Sequence, residues 1–271
     1  MAKGFEWGVV FKKAGFMSQY KKDYDEKGFV VIDGIFNSGE ISWRAHNLVS
    51  FFLSRELDRY VTDINAGYME LDKKDHTAIE RLYQFLRCSS LVMEIVSNHK
   101  ISSIVEELLG LRPYDSIYIP YQVVRMDPPR DNRFTYEWHQ ESYYSMFGAD
   151  QVQLWMPMMC PATIANGTMS ILMGSHLRGE VKHCLKKTPG GHEQKCIKKD
   201  LTKWPDGEYF ASLNVGQVVL FHPHAIHRSN ENRSKEVRFS LVAAYSNPYD
   251  SRFKITSDQE RNDYHRSRCW Q

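Results

Sequence analysis

The chain has 271 residues, 42% of them hydrophobic and 13% aromatic, which is ample for a packed core and too apolar for a disordered segment. Lysine and arginine number 35 against 33 acidic residues, so the formal charge of +2 gives no reason to expect a nucleic-acid or acidic-membrane partner. Five cysteines, odd in number and without framework spacing, argue against a secreted disulfide scaffold. No stretch of about 20 apolar residues or leader-like run after Lys3 is present, so the expected protein is soluble and cytoplasmic.

Residues 1–28 mix Phe5, Trp7, Phe11 and Phe16 with charges, and beyond Gly28 the run Phe29, Val30, Val31, Ile32 predicts a strand. Asp33-Gly34 signals a turn. Asn37 followed by Glu40 has the form of a capping box, and Ile41, Ala45, Leu48, Val49 and Phe52 recur at helical spacing, which predicts a helix over residues 38–57. Residues 58–78 are polar and irregular and are expected to form a loop bordering the site. Ile79, Leu82, Tyr83 and Leu86, then Ile101, Ile104, Val105, Leu108 and Leu109, predict two further helices, with Gly110 as a stop.

Past Pro113 the pattern changes to short β-rich runs: Ile117 to Met126, Gln151 to Met158, Thr168 to Met173, Tyr209 to Leu213, Val218 to Phe221 and Val237 to Tyr245. Turn residues separate them. Helices first, then many short strands, predict a mainly β antiparallel sandwich or barrel with flanking helices. Without a repeat or linker the expected count is one domain over residues 1–271, helical to residue 112 and β from 113 to 250.

Trp138-His139-Gln140-Glu141 is the most informative stretch. On a strand, His139 and Glu141 would share a face about 7 Å apart along the backbone. An imidazole and a carboxylate converging there, completed by a distant histidine, would make the two-histidine, one-carboxylate set of non-haem iron(II) oxygenases. Downstream, residues 216–229 carry His222, His224 and His227, and the run Val237 to Leu241 places Arg238 and Ser240 on one face. A buried guanidinium needs an anion, and a dicarboxylic co-substrate could use Arg238 and the Ser240 hydroxyl at one end and a metal at the other.

These segments together resemble the phytanoyl-CoA dioxygenase-like family of iron(II)- and 2-oxoglutarate-dependent oxygenases. The resemblance covers most of the chain. Tyr24 to Leu48 look like the family's opening, and Ile104 to Gly110 like its Leu-Gly helix end. Trp138-His139-Gln140-Glu141 is similar to its Trp-His-Gln-Asp segment, and Asn166-Gly167-Thr168 and Gly174-Ser175-His176 to its Asn-Gly and Pro-Gly-Ser-His signatures. Gly216 to Ser234 resemble its closing run. The resemblance implies a double-stranded β-helix, or jelly roll of cupin-like form. It also implies iron ligands at His139, Glu141 and His227, Arg238 on the far carboxylate of 2-oxoglutarate, and O2 as the oxidant. Glutamate stands at position 141 where the family usually has aspartate, a change iron accepts. The retained carboxylate argues against halogenation.

The implied reaction is hydroxylation of an unactivated C–H bond of a small molecule, with succinate and CO2 released. Desaturation, epimerisation or ring formation with the same cofactors is an alternative, and a metal-binding jelly roll without catalysis, acting as a sensor, is one of another class. By resemblance Gln122 would contact the metal-side end of 2-oxoglutarate and Trp155 would wall its pocket. Tyr136, Trp138, Tyr143 and Tyr144 suggest an aromatic-walled substrate site. His222 and His224 are read as non-ligands. His183, Cys184, His192 and Cys196 could bind zinc, but their spacing fits no known finger. The basic segment from Arg178 to Lys203, centred on Pro189-Gly190-Gly191, is read either as a solvated loop or as a mobile lid over the pocket mouth that selects an anionic substrate. Oligomeric state is not legible.

Overall fold

The computed structural model describes residues 18–112, 115–133, 135–144, 150–197, 201 and 204–269. Phe5, Trp7, Phe11, Phe16, Pro113, Lys198, Lys199, Asp200 and Lys203 lie outside the described residues.

Helix α1 (Gln19–Lys27) starts at Ser18, whose side chain accepts from Lys21 N, and stops at Gly28, at φ 85°. Strand β1 (Phe29–Ile32) follows. The predicted second helix is α2 (Ser38–Leu57), and Asn37 caps it by accepting from Glu40 N at 3.0 Å. The expected loop over residues 58–78 is largely helical. It contains α3 (Ile64–Lys74), capped by Asp63, and the start of α4 (His76–Arg87). Ile64, Tyr68 and Leu71 make a narrow buried face at helical spacing, and Gly67, a poor helix former, hides the signal. That glycine is needed because a Cβ there would meet Val61 Cγ1 at 2.6 Å. The two helices expected beyond residue 78 are three: α4, α5 (Ser90–Val96) and α6 (His99–Leu108).

Six strands come close to the predicted runs and three, β5, β6 and β9, were not expected: β2 (Tyr118–Asp127), β3 (Gln151–Pro157), β4 (Met169–Leu172), β5 (Cys184–Lys187), β6 (Glu193–Cys196), β7 (Glu208–Phe210), β8 (Val218–Phe221), β9 (His227–Ser229) and β10 (Arg238–Ser246). Helix α7 (Asp258–Ser267), with a capping box at Ser257 and Glu260, closes the described chain. One antiparallel sheet has the order β1-β8-β3-β10-β2, a second has β7-β4-β9, and β5-β6 is a hairpin. Alternation assigns the two faces of the larger sheet. Val30, Ile32, Leu154, Leu220, Phe239 and Leu241 join Ile41, Leu53, Leu82 and Ile101 of the helices in one core. Phe29, Trp155, Val219 and Phe221 meet Met169 and Ile171 of the smaller sheet in another. This is the jelly-roll arrangement with helices on its outer face. Among the described residues no helix is long and apolar enough to cross a membrane.

Gly167 shows how tightly the turn before β4 is fixed. Its φ is +78°, and a Cβ would stand 2.5 Å from Asn230 O and 2.7 Å from Asn232 N, both backbone atoms that cannot swing away. Gly167→Ala is therefore expected to destabilise the fold by about 1–3 kcal/mol, read as a lowered Tm in thermal denaturation.

Candidate metal centre and co-substrate pocket

His139 does not lie on a regular strand. It forms an isolated antiparallel bridge with His227, each N–H donating to the other's carbonyl at 3.0 Å, while Glu141 opens a short 3-10 turn running to Tyr143. The strand expected for this segment is thus a single ladder rung followed by a turn. The outcome for the side chains is convergence all the same. Ligand atoms of His139, Glu141 and His227 all lie within 4.8 Å of one another, in a buried group. Glu141 Oε1 is 3.3 Å from His227 Nε2 and 3.6 Å from His139 Nε2.

Both imidazoles are oriented by their own backbone. His139 Nδ1 is 2.7 Å from Glu137 O and His227 Nδ1 is 3.0 Å from Ala225 O, so each Nδ1–H donates to a carbonyl two residues earlier and each Nε2 faces Glu141. Burial lowers the pKa of His139, which favours a neutral ring with a lone pair to offer. Burial alone would raise the Glu141 carboxyl, but the His139 and His227 rings beside it hold it well below the usual carboxylate range. Two imidazoles with one carboxylate, grouped on one side of a cavity, form a donor set that suits iron(II).

The cavity beside the triad has a volume of about 280 Å³ and is walled by Tyr83, Tyr121, Arg125, Tyr136, Tyr144, Trp155, Phe221, Arg238 and Val242, among others. Arg238 is 2% exposed. Its Nη2 donates to Asp127 Oδ2 at 2.7 Å and its Nη1 to Gly167 O, while its Nε, and the Oγ of fully buried Ser240, have no hydrogen-bond partner among the described residues. Two buried donors left open on one strand face are what a carboxylate would satisfy. Asp127 is shared: its Oδ1 accepts from Arg125 Nη2 at 2.8 Å. Burial would raise this carboxyl, but the charges of Arg125 and Arg238 hold it far below its ordinary value.

The turn motifs support this geometry. Ser175 Oγ accepts from Ile226 N at 2.8 Å, next to His227, and Asn232 Nδ2 donates to Asp127 O and Glu236 O, fixing the entry to β10. His222 and His224 do not line the cavity. His222 packs against Tyr24 and His176, and His224 N donates to His222 Nδ1.

Several placements correct the sequence reading. Gln122 faces the helices, its Nε2 3.7 Å from Met93 Sδ; alternation gives the cavity Tyr121 and Arg125 instead. Of the four aromatics expected around the substrate, Tyr136 and Tyr144 line the cavity. Trp138 turns away, with the Arg228 guanidinium 4.3 Å above its ring, and Tyr143 is buried against His183 with ring centroids 3.8 Å apart. Trp155 does wall the pocket, 5.8 Å from the Arg238 guanidinium.

The described part of the basic segment, read as a lid or a solvated loop, forms a cradle. Within it the β5-β6 hairpin and the residues flanking it hold the metal-site segment: Gln194 Oε1 accepts from Glu137 N, Ile197 N donates to Trp138 O, His183 Nε2 accepts from Gln140 N, and Lys195 exchanges two hydrogen bonds with the Tyr144 hydroxyl. Burial pushes His183 down to about 3, so it stays neutral and keeps this acceptor. Both of its ring nitrogens are thereby used, the other with Val181 O, which removes it from a zinc set.

Sequence reasoning missed Tyr83, Tyr121, Arg125 and Asp127. The last two carried a legible signal, opposite charges two residues apart on one strand. Tyr83 comes from α4 and is indistinguishable in sequence from its core neighbours.

Residues 24–240 match the model of the family described as phytanoyl-CoA dioxygenase (PhyH). The ectoine dioxygenase of Stutzerimonas stutzeri is 21% identical over 248 residues, covering 82% of this chain and 74% of that protein. Among solved structures, EctD from S. alaskensis with 2-oxoglutarate and 5-hydroxyectoine has a TM-score of 0.59 at 16% identity, covering 85% of this chain and 76% of that one. The epimerase SnoN, in complex with Fe3+, alpha ketoglutarate and nogalamycin RO, has a TM-score of 0.57 at 16% identity, covering 84% and 82%. With this match spanning the β core, the triad and Arg238, the chain belongs to the phytanoyl-CoA dioxygenase family of iron(II)- and 2-oxoglutarate-dependent oxidoreductases.

Proposed function

We propose that the protein hydroxylates an unactivated C–H bond of a small, uncharged or zwitterionic molecule, with release of succinate and CO2. The observation that carries this reading is the triad of His139, Glu141 and His227 opening onto the same cavity as Arg238. The three side chains would hold iron(II), and Arg238 with Ser240 would hold the far carboxylate of 2-oxoglutarate. When bound, the metal supplies the oxidation, using O2 and the co-substrate's electrons. The chain's residues orient the reactants, exclude water and balance charge. We further propose that residues 1–271 act as one domain, because α2 to α6 share a single core with the outer face of the larger sheet.

Charge balance narrows the substrate. Arg125, Asp127 and Arg238 together carry one positive charge, which the far carboxylate neutralises. Iron(II) with Glu141 also carries one positive charge, which the near carboxylate neutralises. Arg228, at the cavity wall, is paired with Glu208 at 2.9 Å. The loaded site then sums to zero, and an anion added to it would be a buried charge without a counterion. Within the basic segment, Lys186 is paired with Glu137, and Lys195 is largely buried with its ammonium 4.7 Å from the Tyr144 ring centroid, so these two cations are already engaged. A cavity of about 280 Å³ leaves room for a small partner beside 2-oxoglutarate, bordered by Tyr83, Tyr121, Tyr136 and Tyr144.

The test is succinate release with iron(II), 2-oxoglutarate and matched small molecules that differ only as amide and carboxylate. The neutral members are expected to stimulate release above the substrate-free rate. Stimulation confined to the carboxylates would overturn the charge argument. No iron-dependent succinate from any compound, or without one, would favour the sensor reading. Product analysis separates hydroxylation from epimerisation, desaturation or ring closure.

The tyrosine beside Glu141 supplies a further expectation. Tyr121 Oη lies 3.3 Å from Glu141 Oε2 and 2.8 Å from Gln153 Oε1, bridging the carboxylate to the sheet. Tyr121→Phe is expected to weaken iron(II) binding about tenfold, the low end of the effect of losing a group that orients a ligand. Titration of the metal-free protein with iron(II) under anaerobic conditions checks it.

A further inference from the structure

Cys184 and Cys196 sit directly opposite each other in the β5-β6 hairpin, with their Sγ atoms 3.5 Å apart. Both are buried, at 3% and 2% exposure, and Cys184 Sγ also points at Cys196 O at 3.2 Å. Directly opposed residues on antiparallel strands have Cα separations within the range a disulfide spans, and the sulfurs would close from 3.5 Å to about 2.05 Å. We propose that this pair is a reversible oxidation site, a dithiol that a small neutral peroxide converts to a cross-strand disulfide within the cradle of the metal-site segment.

The chemistry takes two steps. One thiol attacks hydrogen peroxide, the O–O bond breaks, and a sulfenic acid and one water result. The second thiol then displaces the hydroxyl as a second water and forms the S–S bond. Two thiols are oxidised by two electrons and the peroxide is reduced by the same two. Burial pushes the Cys196 thiol up to about 12, so that thiol rests protonated and reacts slowly, and the burial of both sulfurs closes the pair to bulky or charged oxidants. Position gives the reaction its consequence. Cys184 adjoins His183, which holds Gln140 N, and Cys196 lies between Lys195, which holds the Tyr144 hydroxyl, and Ile197, which holds Trp138 O. The cross-link therefore ties together the two strands of the hairpin that anchors the segment bearing His139 and Glu141.

The experiment uses the full chain, stripped of metal by chelation so that peroxide meets no iron. After peroxide, alkylation under denaturing conditions and peptide mapping, the expected result is one Cys184–Cys196 linked peptide, undone by dithiothreitol. The link should be absent from Cys184→Ser and Cys196→Ser and present in Cys269→Ser. Oxidation should also raise Tm by a few degrees and slow hydrogen exchange at the Gln140 amide, neither change occurring in the serine variants. A link to Cys269, over-oxidised Cys184 or Cys196 without a link, or a link that forms only in urea would each overturn the proposal. The wild-type map decides the matter even if a serine variant fails to fold.

Discussion

Alanine at His139, Glu141 or His227 is expected to abolish iron-dependent succinate formation and to remove tight iron(II) binding, while the far-ultraviolet circular dichroism stays near wild type. Each residue supplies one of the three donors within 4.8 Å, so each loss leaves a two-donor site that neither holds nor orients iron. The backbone should survive, because the bridge between His139 and His227 is made by main-chain atoms that alanine retains. His224→Ala is the control, since that side chain lies outside the cavity. Loss of binding in His224→Ala with retention in His227→Ala would reverse the ligand assignment.

The second large effect concerns Asp127, whose carboxylate sits between two guanidiniums. Asp127→Ala leaves Arg125 and Arg238 facing each other's charge in a buried pocket, and breaking a buried pair in this way costs about 3–5 kcal/mol. A marked fall in Tm is expected, partly restored by saturating 2-oxoglutarate, whose carboxylate would replace the missing anion. Arg238→Ala should behave differently. The Arg125–Asp127 pair remains, so the fold loses less, but 2-oxoglutarate affinity falls by about 1.5–3 kcal/mol, the worth of a charge-assisted hydrogen bond. Arg238→Lys recovers it only in part, because an ammonium cannot make a planar two-point contact. An Asp127→Ala protein as stable as wild type, or unchanged 2-oxoglutarate affinity in Arg238→Ala, would contradict this account of the pocket.

How much of this was legible in sequence depended on whether the signal was local. β8 was predicted residue for residue, because Val218 to Phe221 is an unbroken apolar run buried on both faces. The triad was legible because its first two members are two residues apart and family-like motifs surround the third. Gln122 shows the limit. A polar residue in a strand announces that one face is different, but not which face, and a shift of one residue separates Met93 from the cavity. The α3 helix was hidden by a glycine demanded by a long-range contact with Val61, a constraint absent from the local pattern. The cradle is hidden in the sequence for a related reason. Its lysines and Pro-Gly-Gly centre describe an exposed turn, whereas His183, Gln194 and Lys195 at its base are buried against a segment some fifty residues earlier in the chain.

The same cradle bears on the timing of an entropic cost. A short metal-binding segment in a free loop must be ordered when the ion arrives, at about 1–2 kcal/mol per residue of backbone. Here the backbone between Glu137 and Gln140 is fastened on one side by the hairpin and on the other by His227. Its freedom is surrendered once, during folding, and the ion meets a rigid host. Iron uptake should accordingly show little change in heat capacity and little change in amide exchange across residues 137–140, the signature of ligand binding to a preorganised site.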